Sequence, residues 1–468
     1  MTSEILPKPA RRKRSWWWRL KVYVLFPLLF LCLTSLTVLA VYVFRELRGQ
    51  WQFVELVNKL EQEGIPTKTK DLVAIHEAAT STTNTEAWLE LMAQVKSDEY
   101  TQSARGLPHV DKPWSDYEGL DPFDTSATWP DAKAAIRFLK QQQTLLERIH
   151  ALTTIEGLVY LPIKFEGEMT EYASVKDAFK LCKLLMLDAQ VAIHLHESQR
   201  ALNDLISIYR IVEYVDAIPT NSAAWYSKKI RSSAIFIGRK GLQSDLYSDE
   251  QLAELAAHFT EYCAIGDRWK QYHYHELGKV IPHFMNPAWP THPERRYPMR
   301  GHDGLFLVSL YAELAQTPTD DLKQFFEAIQ GKMPGVIARF RSWEAPIDLR
   351  LSNAILEPME GLAAHFIDDA LLHRQVLTGI ALRLYQHQHG TFPKSLADLP
   401  AFETNVLAFG EVPFGYARTD TGVVLWGSEI NLHHQELSPT LPITDDGSKE
   451  ADTNRCYVWF FEESQPPK

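Results

Sequence analysis

LCKLLMLDAQVAIHLHESQRALNDLISIYRIV, residues 181–212, holds two apolar rhythms joined by a polar step. With their flanks, Val175, Phe179, Cys182, Met186, Ala189 and Ile193 recur at intervals of four and three, and Ala201, Leu205, Ile208, Val212 and Val215 repeat the interval. Residues so spaced lie on one face of an α-helix, so the stretch predicts two helices paired through apolar stripes. Pro219 ends the second helix, and Ala224–Leu242 predicts a third. The middle of the chain therefore reads as an antiparallel helical array. It is loosely like tetratricopeptide hairpins, but no consensus recurs at a fixed period and no true repeat is assigned.

Toward the N-terminus, Val22–Phe44 contains no charged residue and, at helical rise, is long enough to cross a hydrocarbon core. Segment 1–21 carries seven basic residues against Glu4, a balance of +6 that should hold it in the cytoplasm. Trp16, Trp17 and Trp18 on one side and Tyr42, Phe44 and Trp51 on the other suit the two membrane interfaces. The expectation is a single-pass anchor at 22–44 in the inner (cytoplasmic) membrane, with the bulk of the chain extracytoplasmic. A cleaved signal peptide fits less well, because the apolar run continues past Ala40 and exceeds the roughly 7–15 residues of such segments.

The 468 residues are 45% hydrophobic and 23% charged, a globular composition with room for more than one core. The net charge is −11, and without the basic N-terminal segment the remainder carries −17, which repels phosphate backbones and argues against a nucleic-acid partner. Of the four cysteines only Cys182, Cys263 and Cys456 lie beyond the anchor, which allows one disulfide at most. Apolar packing must carry the fold.

Beyond the anchor, 45–130 reads as membrane-proximal helices and a loop: Gln52–Glu63, stopped by Gly64 and Pro66, a helix around Trp88–Val95, and a Pro-, Gly-, Asp- and Ser-rich surface loop over Ser97–Pro130. Residues 131–354 form the helical body. It is interrupted at 281–304, where Pro282, Pro287, Pro290, Pro293 and Pro298 oppose regular structure. Helices resume at Leu305–Ala315 and Thr319–Gln330. Residues 355–468 begin with a helix from about Pro358 to His389, with Phe366, Val376 and Ile380 on its apolar face. In YQHQHGTFPKSLADLP, residues 385–400, Gly390 closes that helix, Pro393 blocks its resumption, and Ser395 with Asp398 caps one further turn. His387 and His389 are then residues of a solvated last turn. Strands are predicted at Phe414–Arg418, Val423–Trp426 and Cys456–Phe461. The fold class is mainly α: an N-terminal transmembrane helix, an antiparallel helical-array body and a small α+β C-terminal module with a short antiparallel sheet.

Residues 381–399, ALRLYQHQHGTFPKSLADL, resemble the helix exit of the type II secretion pseudopilins, in which an aliphatic helix runs into a glycine, an aromatic, a proline and a leucine-rich turn. In that family an antiparallel sheet follows, and in some members an acidic-glycine loop binds calcium. The resemblance implies the same for TDDGS, residues 444–448. The chain departs from the family in its uncharged membrane helix, which lies far upstream of the module. The whole layout also resembles a group of single-pass bacterial envelope proteins with one anchor, a helical body and a pseudopilin-like end, a likeness that implies no activity.

No GxSxG elbow, P-loop, GxGxxG or HExxH is present; His76-Glu77, His196-Glu197 and His275-Glu276 each lack the second histidine. His365, Asp369 and His373 stand four apart on one helical face, where imidazole and carboxylate suit a divalent metal; a solvated face with ordinary ion pairs predicts the same letters and is the stronger reading. His273, His275, His283, His292 and His302 with Asp303 crowd in and before the proline-rich loop as a metal or acid-base group, against a plain surface loop. Asp445 and Asp446 beside Gly447 suit Ca2+, although Asp-Gly is also the chemistry of a plain hairpin turn. For Cys182, on an apolar stripe, packing outweighs reactivity. The resulting expectation is a membrane-anchored binding or scaffolding component of the cell envelope with a protein partner. The alternative is a membrane-tethered metal-dependent hydrolase using the His-rich loop.

Overall fold

The computed structural model describes residues 16–111, 129, 131–165, 173–263, 265–285, 300–319, most of 322–329, 350–399, 408–409, 412–419, 422–428 and 456–462. After a helical turn at Trp16–Leu20 and a π-helical turn at Lys21–Leu25, α1 runs unbroken over Phe26–Gln62. Its apolar part is long enough to cross a membrane, with a mean hydropathy of 2.5 over its most apolar window. The sequence divides this region into an anchor and a separate Gln52–Glu63 helix; the structure joins them. Gly64, at φ +74°, closes α1 with paired bonds, Ile65 N–H to Leu60 O (2.9 Å) and Gly64 N–H to Glu61 O (3.1 Å).

Next come α2 (Thr69–Ala79), α3 (Thr85–Gln94), α4 (Asp98–Ser103), α5 (Ala132–Gln141) and α6 (Gln143–Thr153). The central pair is α7 (Ala173–His194) and α8 (Ser198–Asp216), followed by α9 (Asn221–Gln243) and α10 (Asp249–Thr260). The stripes read from the sequence are buried, and Cys182 is fully enclosed with a free thiol. On α7 burial extends beyond one face: Leu181, Leu184, Leu185, Leu187 and Val191 are buried as well, so the helix runs through the centre of the first core. Trp88 of α3, Tyr100 of α4 and Ile149 of α6 pack into the same core. Tyr100 corrects the reading of 97–130 as a surface loop, because Ser97 Oγ accepts from Tyr100 N–H (3.1 Å) and starts a helical turn there.

A second core gathers Phe53, Val57 and Leu60 of α1 with α11 (Gly266–Met285), α12 (Arg300–Ala315), Leu322, Phe325, Ile329 and the beginning of α13 (Arg350–His389). Burial of each large apolar side chain from α1 stabilises this contact by about 1.5–3 kcal/mol. The proline-rich 281–304 segment is shorter than its composition implies. Pro282 sits inside the last turn of α11, where it removes one donor without stopping the helix, and α12 begins at Arg300. The described residues of 45–111 contribute to both cores. Helix α13 belongs to both: Phe366 and Ile367 lie in the second core, Val376, Ile380 and Leu382 in the first.

At the end of α13, Gly390 takes φ +75° and its N–H bonds Gln386 O at 2.7 Å. Phe392 turns back beneath the sheet, 1% exposed, and Asp398 accepts from the backbone of Ser395 (2.9 Å) and Lys394 (3.0 Å). Two short strands, β1 (Ala408–Phe409) and β2 (Val412–Pro413), pair with each other. Three more, β3 (Gly415–Arg418), β4 (Gly422–Ser428) and β5 (Cys456–Glu462), form an antiparallel sheet in which Leu425 faces Trp459 and Val423 faces Phe461. The alternation turns Val423, Leu425, Trp459 and Phe461 inward. Gly379 of α13 permits this close approach, because a Cβ there would stand 3.0 Å from Phe461 and 3.1 Å from Trp459.

Candidate functional site

Where the two cores meet, four helices bring charge together. Asp369 of α13, 1% exposed, accepts from Arg231 of α9 through Nε (2.9 and 3.2 Å) and lies 2.9 Å from Arg231 Nη2. Arg268 of α11 donates to the same carboxylate at 2.9 Å. Arg231 also pairs with Asp216 of α8 at 2.6 Å, and both guanidinium groups lie 5.2 Å from the ring centre of Tyr262. Burial would raise the Asp369 carboxyl; the guanidinium groups of Arg231 and Arg268 overcome it and hold the group well below its ordinary value.

His373 fits into the hub as a neutral ring. Its Nδ1–H donates to Asp369 O (2.6 Å), one turn back, so Nε2 accepts from the Tyr209 hydroxyl (3.0 Å). Burial lowers its pKa to about 4 despite the nearby Asp369. His365, on the same face, is exposed and meets Lys228 at 2.5 Å. The face expected to be solvated thus runs from the surface into the seam between the cores. Its carboxylate is engaged by two arginines and both nitrogens of His373 by hydrogen bonds, an arrangement that favours ion pairing over metal ligation at His365, Asp369 and His373.

Of the histidines in and before the proline-rich region, the structure describes the side chains of two. His273 and His275 belong to α11 and are 0% and 2% exposed. His273 lies against Trp269 (4.2 Å between ring centres), Tyr272 and Tyr311, and among the described residues neither ring nitrogen has a hydrogen-bond partner. Burial lowers its pKa to about 3. His275 Nδ1 stands 3.4 Å from Glu276, which accepts from the Tyr311 hydroxyl at 3.3 Å. His283 lies in α11 and His302 and Asp303 in α12, with side chains outside the described residues, as are His292 and the calcium candidates Asp445 and Asp446.

At the other end of α13, His387 lies on the exposed last turn expected for it, but it is held there by two carboxylates. Its nitrogens lie 2.7 Å from Asp245 and 2.6 Å from Asp249, across the α9–α10 junction. Burial would lower its pKa, but hydrogen bonds to the two carboxylates raise it. One turn earlier Arg383, 1% exposed, donates to Leu242 O (2.6 Å) and Gln243 O, satisfying carbonyls that end α9. Beside this turn a groove of about 550 Å³ opens between Tyr385, Gln388, His389, Lys394 and Arg418. The His389 ring stacks on Tyr385 at 4.0 Å. A smaller crevice of about 20 Å³ beside Arg231, Arg268 and Asp216 has room for a single water.

Comparison with protein-family models, with curated proteins and with solved structures finds no match. The geometry also gathers residues that periodicity passes over, His150, Asp188 and Asp204. For the two acids the signal lies in the opening stretch: single acids inside runs such as LLMLDAQVAI, where every neighbour is buried.

Proposed function

We propose that the chain is a single-pass membrane protein with a cytoplasmic N-terminus, and that its exported helical body is a binding or scaffolding component of the cell envelope. The observation that carries this reading is the continuity of α1, which places the apolar span and the core residues Phe53, Val57 and Leu60 on one helix. Phe53 follows the end of the apolar run by about 14 Å of helical rise, so the second core begins close to the bilayer. A loose tether suffices for an enzyme that samples diffusing substrates. A rigid mount matters for a body that must meet a membrane-bound partner at fixed height and orientation. The histidine and acid groups of α13 tie helices together, which supports the same reading, and the groove beside Gln388 and Lys394 offers a partner segment a polar, partly aromatic seat. The pseudopilin-like helix exit favours a partner in the envelope.

The test uses intact membranes. Protease added outside should digest the chain beyond Arg45 and spare the N-terminal peptide. A photo-crosslinker at Gln388 should give a discrete adduct with one protein, and a short Gly-Ser insertion after Arg45 should abolish it while leaving the helical content unchanged. A protected body refutes the topology. An adduct indifferent to the insertion refutes the rigid mount, and metal-dependent hydrolysis by the purified protein with no adduct favours the enzyme.

A further inference from the structure

We propose that His150, Asp188 and Asp204 bind a divalent transition-metal cation, Zn2+ or Mn2+, that fastens α6, α7 and α8 together. The ligand atoms of the three residues all lie within 4.8 Å of one another. Asp204 is 0% exposed, and among the described residues neither of its oxygens accepts a hydrogen bond, although Oδ1 is 3.1 Å from His150 Nε2. That separation matches the roughly 3 Å between neighbouring ligands of an ion bound at about 2.0–2.2 Å.

The hydrogen bonds around His150 decide what Nε2 presents to Asp204. The Thr153 hydroxyl donates its one proton to His150 O (2.9 Å), so Thr153 Oγ1 can only accept from Ser207 Oγ, 3.0 Å away. Ser207 has then spent its proton and accepts from His150 Nδ1–H at 2.9 Å. The Nε2 lone pair therefore points at a carboxylate oxygen, an arrangement that is repulsive unless a cation or proton lies between them. A histidine whose remote nitrogen donates to a fixed acceptor is also the usual posture of a metal ligand.

Charge points the same way. Arg200 donates to Asp188 through Nε (3.2 Å) and Nη2 and also to Glu197 (2.7 Å), so one guanidinium faces three carboxylates once Asp204 is included. Were all three carboxylates ionised, Arg200 would leave two negative charges uncompensated, and a divalent ion would bring the group to neutrality. One imidazole with two carboxylates suits Zn2+ or Mn2+ better than Ca2+, which favours oxygen alone. His150 and Arg200, with side chains 30% and 35% exposed, leave the site a path to solvent. This inference is independent of the proposed scaffolding role.

The test is metal content and calorimetric titration with ZnCl2 and MnCl2, on full-length protein purified in mild detergent without chelator. The wild type should hold or take up about one equivalent of one of these ions and melt at a higher temperature with it. Asp204→Asn and His150→Gln should lose that uptake, and Ser207→Ala, which frees the ring, should bind about 10–100-fold more weakly. Should Asp204→Asn fail to fold, the partly exposed His150→Gln decides alone. Failure of the wild type to bind either ion overturns the proposal and leaves a proton shared by Asp188 and Asp204 as the source of neutrality. Wild-type affinity in His150→Gln overturns it equally.

Discussion

Replacing Asp369 with asparagine keeps the shape of the side chain and removes its charge, which isolates what the seam between the two cores owes to electrostatics. In the native protein the carboxylate receives Arg231 and Arg268 at 2.9 Å while 1% exposed. An amide nitrogen in its place would face guanidinium N–H groups, donor against donor. Breaking one side of a buried pair costs about 3–5 kcal/mol. Arg231 keeps Asp216, and the Arg268 side chain is 18% exposed and can recruit water, so the expected cost is the lower end, about 3 kcal/mol. Urea unfolding in mild detergent, followed by far-UV circular dichroism, should show a lower midpoint with an unchanged slope. The folded carboxyl titrates below the unfolded one, so its contribution is complete above a pH of about 4 and fades only as pH falls toward the folded value. The difference between wild type and variant should therefore be equal at neutral pH and at mildly acidic pH. A cost under about 1 kcal/mol, or one that vanishes in mild acid, would refute the buried hub.

Gly390→Val should destabilise by about 1 kcal/mol or more, because a β-branched residue resists φ +75° even though no atom lies within 4 Å of its Cβ; an unchanged thermal melt would contradict the helix-closing role. His387→Ala should cost about 0.5–1 kcal/mol below the unfolded histidine pKa and progressively less as pH rises through the raised folded value; a loss larger in alkali than in acid would reverse the sign of the argument. His273→Phe, which places an apolar ring among Trp269, Tyr272 and Tyr311, should change stability by no more than about 1 kcal/mol in either direction, and a much larger loss in urea unfolding would mean that His273 has an essential partner.

The helical array was legible because apolar spacing reports burial directly: Val175 through Val215 repeat at helical intervals and lie in the first core. The helix stop at Gly390 and the three strands were legible from turn chemistry and alternation. The hub was not. Asp369 and His373 are four apart, like solvent-facing pairs, and their partners Arg231 and Arg268 lie 138 and 101 residues away. Nothing local distinguishes an acid that meets water from one that meets two buried arginines. The unbroken α1 was hidden for a different reason. Arg45, Glu46 and Arg48 end the apolar run, and hydropathy marks that as a boundary, yet charge on one side of a helix does not stop it.

The placement of the hub explains why a costly buried network sits in this protein. Apolar contacts are non-directional, and α13 runs through both cores. Directional bonds from Arg231 on α9 and Arg268 on α11 to one carboxylate, with His373 locked between Asp369 O and Tyr209, permit a single register. Toward the sheet, Arg383 and His387 repeat the device by fastening the last turns of α13 to the end of α9 and the junction beyond it. The polar positions of α13 thus fall where its neighbours change, and its apolar positions where they do not. In the proposed single-pass arrangement, a body mounted on α1 through Phe53, Val57 and Leu60 would hold its sheet end at a fixed height only if α13 did not slip, and these bonds would supply that constraint.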